Sequence, residues 1–240
     1  MRGWRRALVI VVVVVGLLVV ADRVAAWAAE RTVADQVAQE LSNYQVDSAP
    51  PEVSIGGFPF LTQVAAGEYE QVTLRLRDVG SGPLRLPQVV LTASGVTAAA
   101  DTLIDGAGPI HAAEVAGEAT VGYGQVRGLT DREDLVLGAD GGEVSIRLPV
   151  ELLEQQVTLV GTAEVAVSGH SVQVRVRELT VAEPDALPDG AQPLVDQIAA
   201  QLSVDVPLPP LPYDLSVESV RAERAGLVVS VRAHDVPLSR

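Results

Sequence analysis

Ala7 to Ala21 is an uninterrupted apolar run, preceded by Arg2, Arg5 and Arg6 and ended by Asp22 and Arg23. Such a segment at the start of a chain is an export signal. It is long for the apolar region of a cleaved signal peptide and short of the roughly 20 residues that span a bilayer. Positive charge ahead of it places the N-terminus in the cytoplasm and everything after it outside. Ala26-Trp27-Ala28 supplies a small-x-small cleavage site, blurred by the neighbouring Asp22-Arg23 pair and by the bulk of Trp27. Residues 1–23 therefore read as a signal anchor or a signal peptide, and 24–240 as one domain. In the first case that domain is tethered to the cell membrane; in the second it is released to the periplasm or cell wall.

The remainder has the size of one globular unit or of two intimately joined halves. Hydrophobic residues make up 48% of the chain but aromatics only 3%, so the apolar mass is Val, Leu and Ala, and β-branched Val favours a pleated surface. Residues 1–28 hold four of the 17 arginines and one of the 31 acidic residues, which leaves 13 against 30, a net −17. A body this acidic repels nucleic-acid backbones. With no Cys in the chain, disulfides, thiolate metal sites and Cys nucleophiles are all excluded.

Periodicity organises the rest of the chain. Val33, Val37, Leu41 and Tyr44, broadened by Ala34 and Ala38, recur at helical spacing, which predicts an amphipathic helix continuing from the apolar run. Gly57-Phe58-Pro59-Phe60-Leu61 after a short strand reads as a sharp turn with an aromatic plug. Period-two alternation then predicts long antiparallel strands: Val72, Leu74 and Leu76; Val144, Ile146 and Leu148; Val157 to Val167; Val172, Val174 and Val176. Asp140-Gly141-Gly142 and Ser168-Gly169-His170 suit hairpin turns. Thr130-Asp131-Arg132-Glu133 matches a capping box, which predicts a short helix before Gly138. Leu194, Val195, Ile198 and Leu202, with Pro193 in the first turn, mark a second amphipathic helix, and a final hairpin pairs Leu215–Ala222 with Gly226–His234. An internal echo links Leu41-Ser42 with Leu202-Ser203, and Asp78-Val79 with Asp235-Val236.

Chemistry is sparse. His111, His170 and His234 are far apart and lack the i, i+4 partner of a helical zinc site, so they read as solvated side chains and no metal is expected. Gly122-Tyr123-Gly124 followed by Gly128 misses the dinucleotide spacing and reads as flexible sheet-edge chain. No nucleophile elbow, phosphate loop or calcium loop is present. Neither an enzyme nor a cofactor is expected.

What remains is physical. Gly161 and Ala163 lie on the dry face of a Val/Leu-rich sheet, where small side chains leave volume for acyl chains, each buried methylene contributing about 0.8 kcal/mol. Phe58, Phe60, Leu61, Val72, Leu74, Leu76, Val172, Val174 and Val176 are the candidate lipid-binding residues. The alternative is an envelope scaffold or interaction protein with a solid core.

Gly57-Phe58-Pro59-Phe60-Leu61-Thr62-Gln63, then Gly67-Glu68-Tyr69 and an alternating strand, resembles the LmeA-like family of actinobacterial envelope phospholipid-binding proteins. The resemblance takes in Asp22-Arg23 and the closing segment from Leu211-Pro212 to Gly226-Leu227-Val228. It implies an anchored or secreted protein that binds phospholipid and, in some members, supports assembly of lipid-linked mannans. It also implies an α+β fold in which a long curved antiparallel sheet wraps two amphipathic helices, similar to tubular lipid-binding proteins. No catalytic residue comes with it. The expected partners are a phospholipid or related envelope lipid and the membrane itself.

Overall fold

The computed structural model describes residues 2–81, 84–99, 102, 108–128, 132–168, 171–183, 190–207 and 215–238. The chain is α+β. Helix α1 (Arg2–Asn43) leads into β1 (Glu52–Ile55), α2 (Phe60–Ala66), β2 (Glu68–Ser81), β3 (Leu84–Thr97), β4 (His111–Val121) and α3 (Tyr123–Gly128). After α3 come β5 (Val136–Asp140), β6 (Glu143–Leu152), β7 (Gln155–Ser168), β8 (Ser171–Val181), α4 (Gln192–Leu202), β9 (Val204–Pro207), β10 (Ser216–Glu223) and β11 (Gly226–Pro237). The strands form two sheets, β1-β2-β3-β4-β11-β10 and β5-β6-β7-β8-β9. Two compact units divide the chain. The first is Met1–Arg77, Val90–Ala116 and Ala233–Arg240, and the second is Asp78–Val89 and Gly117–Arg232.

In the first unit α1 packs on β1 and α2. Its core gathers Ala26, Ile55, Phe60, Tyr69, Val96, Ala98 and Ala112, with Val64 and Val72 against it. Val33, Val37 and Leu41 of α1 are half-buried, as their spacing requires, but Tyr44 lies past the helix end and is exposed.

In the second unit the alternating residues of β6 and β7 supply the core: Val144, Ile146, Leu148, Val157, Leu159 and Ala163, covered by Val195 of α4 and Ala222 of β10. A bulge sits where β7 meets β8: Thr162 pairs with Glu178 but Ala163 with Val176, so Arg177 is the extra residue. An inserted residue reverses the side-chain alternation. That is why Val174 and Val176 on one side of it and Leu179 and Val181 on the other join the same core.

Three expectations are corrected. Gly161 leaves no void: a Cβ there would lie 2.0 Å from the Glu178 carbonyl oxygen, so the glycine admits the bulged β8 backbone, and Ala163 is fully buried. Residues 136–140 are a strand paired with β6 in the register Val136↔Arg147 to Asp140↔Glu143, and Glu133-Asp134 is only a turn; ladder pairing overrides the local capping signal, whose Thr130-Asp131 lies outside the described residues. Gly122-Tyr123-Gly124 opens α3, where the Tyr123 hydroxyl donates to the Glu223 carbonyl at 2.9 Å.

The hairpin at Asp140-Gly141-Gly142 is present, both glycines having positive φ, as its twist demands. Ser168 pairs with Ser171, though the turn residues Gly169 and His170 lie outside the described set. The internal echo has a geometric counterpart. α1 and α4 are each followed by a four-residue strand at a sheet edge, β1 and β9, and Asp78 and Asp235 share a left-handed backbone, φ 54 and 53.

Candidate functional site

One stripe of α1 faces the first unit: Asp22, Ala25, Ala26, Ala29, Val33 and Val37, at the i, i+3, i+4 spacing of a single helix face. The small alanines let β1 and α2 approach, and two acidic side chains on or beside the stripe bind the backbone they meet. Glu30 accepts the Ile55 amide at 2.9 Å. Asp22 accepts the Leu61 amide at 2.8 Å.

α2 begins at Pro59 without a side-chain cap of its own, so Asp22 satisfies one of its orphan N–H groups from another helix. Asp22 is 3% exposed, and Arg23 pairs with it at 2.6 Å.

The same turn is locked from its other side. Gln63 donates to the Gly56 carbonyl at 3.1 Å and accepts the Glu70 amide at 2.8 Å. Gly57 has φ +86, and a Cβ there would lie 2.7 Å from Gln63 Nε2, so only glycine fits. Phe60 points inward, 4% exposed, its ring centroid 6.4 Å from that of Tyr69. Phe58 and Leu61 point outward, 58% and 44% exposed, with the Arg23 guanidinium 5.1 Å from the Phe58 ring centre. Asp22, Glu30 and Gln63 were not among the expected site residues. The signal for Asp22 and Glu30 lies in the helical spacing of Asp22, Ala26, Ala29 and Glu30, and Gln63 closes the Gly57–Gln63 string.

Two open clefts flank α2. One, of about 520 Å³, is lined by Gln63, Ala66, Tyr69, Val96 and Thr97 among others; the other, of about 630 Å³, by Val64, Ala66, Gly67, Ala98 and His111. A third, of about 450 Å³, lies at the far end of α1 around Leu41, Val46 and Pro50. The Tyr69 hydroxyl is buried and has no hydrogen-bond partner among the described residues, and burial pushes its pKa up.

Of the nine expected lipid-contact residues, the first unit brings together Phe58, Phe60, Leu61, Val72, Leu74 and Leu76. Leu76 is buried, and Val72 and Leu74 are half-buried, facing β1 in the register Val53↔Leu74 and Ile55↔Val72. Val172, Val174 and Val176 belong to the second unit and are half-buried. None of the three clefts is lined by any of the nine. His111 and His234 are exposed, and no group of three or more potential metal ligands occurs among the described residues.

A family model described as LmeA-like phospholipid-binding matches residues 20–232. The match starts beside Asp22 and takes in both units, including Leu211-Pro212, which lie outside the described residues. No curated protein and no solved structure matches the chain.

Proposed function

The chain belongs to the LmeA-like phospholipid-binding family, and on that premise we propose that it binds phospholipid at the outer face of the cytoplasmic membrane, where α1 holds it as an uncleaved anchor. The family match over residues 20–232 carries the lipid reading. The anchor reading is supported by two core positions: cleavage after Ala28 would remove Asp22, the cap of α2, and Ala26, 5% exposed within the first unit's core. A domain that uses residues 22 and 26 internally is better served by keeping them. The exposed apolar stretch of α1, long enough with its flanks to cross a bilayer, then has lipid as its solvent.

Acyl chains would lie against Val72, Leu74 and Leu76, with Phe58, Phe60 and Leu61 closing one end; in the other unit Val172, Val174 and Val176 offer a separate apolar surface. Residues 24–240 act in this reading as one lipid-binding domain whose chain passes repeatedly between the two units. Binding is passive: apolar side chains shield the acyl chains while the head group stays wet. Such binding would serve lipid exchange with the membrane or the assembly of lipid-linked mannans.

A scaffold with a solid core is favoured by one observation, the tight filling around Gly161 and Ala163 in the second unit. Organic extraction of the purified full-length protein followed by mass spectrometry separates the two. Phospholipid retained near one equivalent through detergent exchange, and restored by loading after stripping, supports the lipid reading. No retention by the parent protein even after loading leaves the scaffold.

A further inference from the structure

The chain has two tryptophans, Trp4 and Trp27, both on α1 and 23 residues apart, about 35 Å along a helix at 1.5 Å per residue. Both indoles are exposed. Tryptophan favours the two membrane–water interfaces, and the hydrocarbon between them is about 30 Å thick. The run Ala7–Ala21 alone, about 22 Å long, is too short to fill it. The outer boundary therefore falls near Trp27, with exposed Val24 making up part of the deficit, and Asp22 and Arg23 lie at or below the head-group level.

A carboxylate at that depth is costly unless paired. Asp22 meets the condition through Arg23 and the Leu61 amide. That amide ties the start of α2 to the level of residue 22, so whatever the turn at Phe58–Leu61 exposes shares its depth. The turn and the first helical residues expose Phe58, Pro59 and Leu61 there, beside Thr62, whose hydroxyl donates to the Pro59 carbonyl at 2.8 Å, with Arg23 over the Phe58 ring and Arg31 5.3 Å from the Trp27 ring centre. Guanidinium groups whose apolar neighbours are submerged can still reach the head groups. A body of net charge −17 gains nothing from the field of an anionic leaflet, so the attachment has to be apolar.

We propose that the Phe58–Leu61 turn is seated in the outer leaflet's interface, a second membrane contact beside α1 that fixes how the domain stands on the lipid surface. The inference rests on the anchor reading and adds to it a contact made by the folded domain.

The chain lacks cysteine, so single nitroxide labels can be introduced by Val14→Cys, Phe58→Cys, Leu61→Cys and Gln39→Cys in the full-length protein reconstituted into phosphatidylglycerol/phosphatidylethanolamine vesicles. Collision with oxygen, which partitions into lipid, is compared with collision with an aqueous nickel chelate. The expected result is a Val14 label at the bilayer centre, and labels at 58 and 61 several-fold richer in oxygen collisions than the label at 39, which stands about 18 Å beyond Trp27. Labels at 58 and 61 as water-accessible as that at 39, with Val14 in lipid, overturn the seated turn and leave the anchor standing. Spin–spin coupling between labels at 61 assigns the turn to a second copy of the chain and overturns it also. A Val14 label outside lipid, or protein recovered with a new N-terminus near Ala29, overturns both readings.

Discussion

The Asp22 carboxylate accepts the Leu61 amide at 2.8 Å across 39 residues of sequence, so the helix that carries the apolar run also caps α2. The pair joins membrane attachment to domain stability. Replacing Asp22 by Ala leaves the Leu61 amide unsatisfied and Arg23 without its carboxylate, and the thermal midpoint of the full-length protein should fall by a few degrees. Asp22→Asn keeps an acceptor and removes the charge, so it should lie between the two.

Gly161→Ala tests the close approach of β8. The added methyl meets the Glu178 carbonyl oxygen at 2.0 Å, and backbone cannot step aside as a side chain can. Overpacking costs typically about 1 to 3 kcal/mol, read from urea unfolding, and the loss should be at the upper end of that range or beyond. A neutral result would restore the reading of Gly161 as the floor of a void.

Tyr69→Phe removes a buried hydroxyl with no partner among the described residues. Since an unsatisfied buried polar group is a cost to the folded state, the midpoint of delipidated protein should hold or rise. Retained phospholipid should fall only if that hydroxyl bonds the ligand, so loading the variant separates a packing role from a binding one.

Leu76→Trp probes the apolar face of β2. In a solid core the indole should cost about 1 to 3 kcal/mol; beside an acyl chain it can take volume that lipid otherwise fills, so stability should hardly change while bound phospholipid falls. Arg75→Ala, on the exposed side of the strand, should alter neither quantity. Stability lost at Leu76 without any loading deficit would place the lipid elsewhere.

Elements whose signal is local are legible in the residues alone. The apolar run, the alternating residues of β6 and β7, the spacing of Leu194, Val195, Ile198 and Leu202 and the glycines at 141 and 142 each state a conformation within a few residues, because helix and strand periodicity is written at that range. How those elements use one another follows from packing and pairing between them. Asp22 reads locally as the charge that ends an apolar run, and becomes a cap only when a turn 39 residues later arrives beside it. Gly161 reads as empty space until the bulge at Arg177 brings a carbonyl into it. Thr130 to Glu133 signals a helix, yet residues 136–140 form the strand that pairs with β6. In the first two cases the deciding partner is distant in the chain, and in the third it is the next strand across a hairpin; in all three the register that delivers it is fixed by burial and pairing summed over a whole sheet, which a local pattern does not contain.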